Sequence, residues 1–249
     1  MVGVRVFAAL AVVVALAAAP GDGVQRPPAE YPRTWQPAAV LSPERAAVVV
    51  VRVEGRGGGE FADGTGVAIA PDLILTADHL LGEPALFVIR CDTELVEVRQ
   101  VTRDEEHDVA VLQVDGAPLV PVELAPSDPQ PGAELVVSGY PRGQDLVVLP
   151  GRAESYVDGS FLDAVGTVMR FTPAPEPGQS GGALLDAHGR LAGLVTGVER
   201  ASGVGYAVPA SVLRAAVGTL VPGRRIDAGT VAAPAARPRQ PACRSEASH

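Results

Sequence analysis

Short apolar or alternating runs recur through the middle of the chain, first at residues 48–53, 66–70, 73–76, 85–90, 96–101 and 109–114. They resume at residues 134–138, 146–149, 167–171, 182–185, 191–196 and 205–208. Runs of this length, bounded by Gly, Pro and Asp, read as β-strands, because a period of two places alternate side chains on one face of a sheet. Only residues 212–220, opened by Pro209 and Ser211, read as a helix. The pattern predicts an all-β protein with one short C-terminal helix. Between the two sets of strands lies Ala125-Pro126-Ser127-Asp128-Pro129-Gln130-Pro131-Gly132. Three prolines and a glycine cannot sit in a continuous strand. This segment therefore reads as the connection between two strand-built halves, residues 41–125 and 133–220.

The flanks read differently. Arg5 precedes an apolar run over residues 6–19, followed by Pro20, Gly21, Asp22 and Gly23. That order is the mark of a secretory signal, and its 14 apolar residues fall short of the roughly 20 that cross a bilayer as a helix. Residues 1–23 are thus a signal peptide, with an uncleaved N-terminal anchor as the second reading. Membrane association is expected only in that second case. Residues 24–40 are rich in Pro and Arg and lack periodicity, which predicts a tether. Residues 221–249 are Ala, Pro and Arg with few large apolar side chains, which predicts a disordered tail.

Composition narrows the function classes. The formal net charge is -9, with an isoelectric point near 4.9, which argues against general electrostatic affinity for nucleic acid or anionic membranes. The two cysteines, Cys91 and Cys243, support neither a disulfide framework nor a zinc cluster. An exported location would permit one disulfide between them. No cofactor and no metal is implied by any motif.

Three strings carry candidate chemistry. GTGVAIAPDLILTADHL, residues 64–80, ends a buried-looking strand on Thr76-Ala77-Asp78-His79. EEHDVAVLQV, residues 105–114, places Asp108 just before an alternating strand. Taken singly, His79 suits a structural or exposed histidine and Asp108 a turn carboxylate. PEPGQSGGALLDAHGRLAGLVTG, residues 175–197, is more specific. Gly178, Gly181 and Gly182 surround Ser180, and residues without a Cβ let a backbone approach a substrate closely. The remaining histidines, His107, His188 and His249, and the acidic run Asp104-Glu105-Glu106 fit solvated turns and tail.

Together the strings run in the order His, Asp, Ser, at spacings of 29 and 72 residues within one all-β pattern. The chain resembles trypsin-like serine proteases, and within them the bacterial HtrA type. TADH is similar to the family's Thr-Ala-Ala-His element, HDVAVL to its Asp-x-Ala-x-Leu element and PGQSGGALLD to its Gly-x-Ser-Gly-Gly element. GVGYAVPASVL, residues 203–213, is similar to the end of the HtrA protease domain. The resemblance covers roughly residues 41–220 and implies two packed six-stranded antiparallel β-barrels with the catalytic residues between them.

It further implies that Ser180 is the nucleophile, His79 the general base and acid, and Asp108 the orienting carboxylate. The N–H groups of Gly178 and Ser180 would form the oxyanion hole. Ala174 would lie at the base of the specificity pocket, Thr196, Gly197 and Val198 along one wall and Gly203 opposite. None of these is charged, so small or medium aliphatic residues are expected before the scissile bond of a polypeptide substrate. Two departures stand out. Gln179 replaces the Asp with which activated zymogens pair a newly cut N-terminus, so activation of that kind is not expected. Asp78 adds a carboxylate beside His79. About 70 residues follow Ser180, leaving no room for the PDZ domain of many HtrA-type enzymes. Oligomerisation has no support in the Pro-rich segment. The competing reading is a catalytically inactive member of the same fold that binds peptides, and an unrelated exported β-barrel binding protein is the third.

Overall fold

The computed structural model describes residues 48–54, 61–81, 87–91, 94–115, 119, 121–162 and 166–224. The chain divides into two units, Met1–Gln36 and Pro37–His249, and every described residue lies in the second. The expected signal segment, the tether, Cys243, His249 and the tail beyond residue 224 lie outside the described residues.

The strand-like runs become twelve strands among the described residues. The first six are β1 (Val48–Glu54), β2 (Phe61–Ala70), β3 (Leu73–Thr76), β4 (Phe87–Cys91), β5 (Glu94–Asp104) and β6 (Val109–Val114). They close into an antiparallel barrel in the order β1-β2-β3-β6-β5-β4. The second six are β7 (Glu134–Gly139), β8 (Val147–Asp158), β9 (Thr167–Thr172), β10 (Ala183–Leu185), β11 (Leu191–Glu199) and β12 (Val204–Pro209). They close in the order β10-β11-β12-β9-β8-β7. Closing a sheet on itself leaves no open edge and pairs the backbone of every strand.

Each barrel encloses its own core. The first is filled by Ala68, Ile74, Leu81, Ala110, Leu112 and Val114, with Val98 and Val101 partly buried against them. The second centres on Leu135, Val137, Met169, Phe171, Leu184, Val195 and Ala207. Phe171 is fully buried, and burying one such side chain contributes on the order of 1.5–3 kcal/mol.

Two elements tie the barrels together. The chain between β6 and β7, leading into the Pro-rich connection, donates hydrogen bonds from Leu119 N–H to Pro71 and from Val122 N–H to Ala68 in the first barrel, then exchanges Ala125 N–H and Glu123 C=O with Leu191 in the second. The helix α1 (Ala210–Leu220) packs on β11 and β12 and reaches β5 and β6. Leu213, Ala216 and Val217 form its buried face. Arg224, just past the helix, closes the arrangement with a two-pronged ion pair to Asp72, at 2.6 and 2.7 Å.

Candidate active site

His79 sits in a single 3-10 turn, Asp78–Leu80, directly after β3. Asp108 ends the turn between β5 and β6 with φ of 55°, a left-handed conformation that Asp tolerates better than most residues because its short side chain bonds locally. The turn is braced from within: His107, expected to be an exposed turn residue, is instead half-buried, with its Nδ1 2.9 Å from Asp104 Oδ2. Asp104, expected in a solvated acidic run, is half-buried too, while Glu105 and Glu106 are exposed.

His79 and Asp108 meet through several bonds. The imidazole Nδ1 lies 2.8 Å from Asp108 Oδ2 and 3.0 Å from Oδ1. The backbone N–H of His79 donates to Oδ1 at 2.8 Å, and that of Asp78 donates to the Asp108 carbonyl at 3.3 Å. A carboxylate only accepts, so this geometry assigns the neutral imidazole proton to Nδ1 and leaves the Nε2 lone pair available. Burial by itself would lower the His79 pKa. The hydrogen bond and charge of Asp108, aided by the charge of Asp78, outweigh it and hold the imidazole above its ordinary value of 6.5.

Asp78 turns away from the imidazole into a fork. Arg103 on β5 donates from Nε to its Oδ1 at 2.7 Å and from a terminal nitrogen to its Oδ2 at 2.9 Å. The carboxylate, 5% exposed as a residue, thereby has a charged partner in place of water. Nothing in the sequence marked Arg103 as that partner, since the pairing crosses two strands.

Ser180 belongs to the loop between β9 and β10, and two glycines set the course of that loop. Gly178 has φ of 93°, and a Cβ there would stand 2.3 Å from Arg142 N. Gly181 has φ of 78°, and a Cβ there would stand 2.0 Å from the Thr65 carbonyl and 3.0 Å from Ala77 N. Both the turn conformation and the space exclude any other residue. Gly181 therefore brings Ser180 beside the strand end that carries His79. The Ser180 carbonyl accepts Thr65 N–H at 2.8 Å, and Gly181 N–H donates to Val195 at 2.7 Å. The next residue, Thr196, donates its hydroxyl to Asp108 Oδ2. His79, Asp108 and the Ser180 loop are thus connected through direct bonds from both barrels.

The remaining expected site residues are placed as follows. Ala174 is half-buried in the loop after β9, beside buried Pro175. Thr196, Gly197 and Val198 are half-buried on β11, where Leu162 packs over Gly197 with its Cδ2 3.1 Å from where a Cβ would stand. Gly203 lies in the exposed turn before β12, with nothing within 4 Å of that point. Gln179 is 3% exposed, and its side-chain carbonyl accepts Glu176 N–H at 2.7 Å. Among the described residues no group of His, Cys, Asp or Glu is disposed to hold a metal ion.

A double barrel carrying this residue set defines a class of protein: residues 64–194 match the trypsin-like peptidase domain family, and the chain belongs to that family. Among relatives, it is 31% identical over 172 residues to the serine protease Rv3671c of Mycobacterium tuberculosis, covering 65% of this chain and 43% of that protein. It is 32% identical over 160 residues to the putative serine protease HhoB of Synechocystis, covering 60% and 38%. The chain spans less than half the length of these curated relatives. The fold is also that of the active form of the Rv3671c protease from M. tuberculosis, with a TM-score of 0.67 at 24% identity over 77% of this chain and 88% of the other. The structure of the HtrA-type protease AlgW with a tripeptide gives 0.64 at 24% identity, over 76% and 65%.

Proposed function

We propose that the chain is a serine endopeptidase of the HtrA type that hydrolyses polypeptides through an acyl-enzyme on Ser180. His79 Nε2 takes the Ser180 hydroxyl proton as the oxygen attacks the scissile carbonyl, then returns it to the leaving amine, while Asp108 holds the imidazole and stabilises its charged form. The N–H groups of Gly178 and Ser180 receive the negative charge that develops on the carbonyl oxygen. The observation that carries this reading is the His79–Asp108 bond joined, through Thr196 and Gly181, to a serine flanked by glycines. Its direct test is digestion of an unfolded protein such as reduced casein. The purified chain should cleave it and Ser180→Ala should not, whereas equal cleavage by both would refute the mechanism.

The uncharged residues Ala174, Thr196, Gly197 and Val198 support a preference for Ala or Val before the scissile bond. A panel of chromogenic peptides differing only there should give the highest kcat/KM for these residues, and a clear preference for Arg would overturn the assignment. Action outside the cytoplasm, secreted or in the bacterial envelope, is supported by the apolar segment after Arg5 and by a relative, 29% identical over 156 residues, named a probable periplasmic serine endoprotease in Ectopseudomonas mendocina. Fractionation of expressing cells tests it, and recovery in the cytoplasm alone would exclude it.

One observation favours a peptide-binding protein without turnover: among the described residues, Ser180 makes no side-chain hydrogen bond to His79. In resting hydrolases this bond is often long and tightens with substrate, which keeps the enzymatic reading ahead. The casein test separates the two.

A further inference from the structure

The loop that carries Gly178 and Ser180 is held from outside by a threonine that the triad does not use. Thr65, in the middle of β2, is fully buried. Its hydroxyl oxygen accepts the Tyr140 N–H at 3.0 Å, and its hydroxyl proton goes to the Gly178 carbonyl at 2.8 Å. The roles are fixed, since an amide N–H only donates and a carbonyl only accepts. Its backbone N–H donates to the Ser180 carbonyl at 2.8 Å, and its own carbonyl accepts the Thr76 hydroxyl at 2.8 Å. One residue of the first barrel thus bonds the nucleophile loop twice, the segment after β7 once and β3 once.

These bonds matter because of the peptide planes they set. In a trans peptide the C=O and the following N–H point in opposite directions. The Pro177 carbonyl accepts Arg142 N–H at 2.8 Å, which turns the Gly178 N–H the other way. The Gln179 carbonyl accepts Gly182 N–H at 2.9 Å, which does the same for the Ser180 N–H. The plane between them is fixed by Thr65 through the Gly178 carbonyl, and Gln179 N–H is taken by the Glu176 carbonyl at 3.1 Å. Among the described residues neither the Gly178 nor the Ser180 N–H donates to a protein acceptor, so both are available to a substrate oxygen. Arg142, at φ of 53°, and Tyr140 flank Pro141 in one 3-10 turn region. Thr65 therefore holds the same turn that holds Pro177.

We propose that Thr65 is a positioning residue for the oxyanion-binding N–H groups, its hydroxyl clamping the Gly178 carbonyl so that the loop keeps both donors aimed at the reacting carbonyl. The proposal rests on the serine-peptidase reading above. Thr65→Val keeps the shape and removes the donor, leaving the Gly178 carbonyl and Tyr140 N–H without their partner. Thr65→Ser keeps the donor. The loop geometry matters most when charge develops on the carbonyl oxygen, so the loss belongs in kcat.

On a chromogenic peptide, Thr65→Val should lower kcat between about 10-fold and 10²-fold, up to the lower end of what deletion of a direct oxyanion donor causes, with KM within about threefold. Thr65→Ser should stay within about threefold of the unaltered chain in both. A peptide aldehyde of the same sequence, which forms an oxyanion on Ser180, should lose affinity for Thr65→Val in parallel with kcat/KM. An unchanged kcat in Thr65→Val, a loss confined to KM, or an equal loss in Thr65→Ser would each overturn the proposal. If Thr65→Val does not fold, Thr65→Cys is compared with Thr65→Ser. The two are close in shape, but a thiol is a weak donor, so kcat should fall at least about tenfold for Cys, and equal rates would refute the clamp. Should the unaltered chain neither turn over substrate nor react at Ser180, the peptidase reading fails and this one with it. Undiminished kcat in Thr65→Val, where the unaltered chain does turn over substrate, sinks the clamp alone.

Discussion

His79 is held on its Asp108 side by two donors from one residue: the ring Nδ1–H, which must be given up if the imidazole swings away or exchanges its tautomer, and the backbone N–H, which keeps the carboxylate beside the ring. Thr196 adds a third donor to the same carboxylate. Because these negative charges raise the His79 pKa, the neutral base is lost as the pH falls through a value above 6.5. The acid limb of kcat/KM against pH is accordingly expected above 6.5, and a limb at or below that value would contradict the assignment. Asp108→Asn removes the charge and disturbs the tautomer, and should lower kcat on the order of 10⁴-fold, as this exchange does in triads of this kind. Asp78 raises the local negative charge as well, but its carboxylate is occupied by Arg103. Arg103→Ala strands a buried carboxylate and should destabilise the fold by about 1–3 kcal/mol, seen as a lower urea midpoint. An unchanged midpoint would show that the fork contributes nothing to stability.

Among the elements, the strands that carry the site follow the hydrophobic pattern closely, and the departures have physical causes. β8 runs on to Asp158, well past the apolar run 146–149, although beyond that run it contains Pro150, Gly151 and the exposed Arg152, Glu154 and Asp158. Pairing with β7 on one side and β9 on the other supplies its hydrogen bonds whatever the side chains do. β5 likewise extends through Thr102, Arg103 and Asp104 because β6 continues beside it. The helix begins at Ala210, and Pro209 at its cap position offers no side-chain acceptor. Asp128 of the Pro-rich connection serves instead, accepting Ser211 N–H and the Ser211 hydroxyl at 2.7 Å each. Asp128→Ala should therefore cost about 0.5–2 kcal/mol, as loss of a helix cap does, measured by thermal or denaturant unfolding. A change below a few tenths would mean the cap is dispensable. The Asp72–Arg224 pair, partly exposed on both sides, should be worth less than about 1 kcal/mol.

Across the whole molecule the site exists only where the two barrels meet. His79, Asp108 and Thr65 come from the first barrel, and Ser180, Thr196 and Gly178 from the second. The bonds Thr65–Ser180, Thr65–Gly178 and Thr196–Asp108 all cross between them. The strands in two halves and the Pro-rich connection were legible because period-two patterning and proline act within a few residues of chain, whereas closure of each half into a barrel was implied only by the motif resemblance. The order of His79, Asp108 and Ser180 was legible through motif resemblance. Thr65, Arg103 and the Thr196 hydroxyl on Asp108 were not, because each contributes through partners 25 to 113 residues away, a distance that no local pattern records. Gly203, which its count from Ser180 suggested as a pocket wall, has its backbone in an exposed turn.

Everything proposed for the site depends on Ser180 being an activated nucleophile, and covalent capture reads that property without intermediaries. The purified chain is incubated with a fluorophosphonate, digested, and its modified peptide identified by mass spectrometry beside Ser180→Ala. A single adduct on Ser180, absent from the folded variant and weakened by Asp108→Asn, is the predicted result. A folded chain that takes up no label, or one labelled equally after Ser180→Ala, would contradict the role of Ser180 as nucleophile.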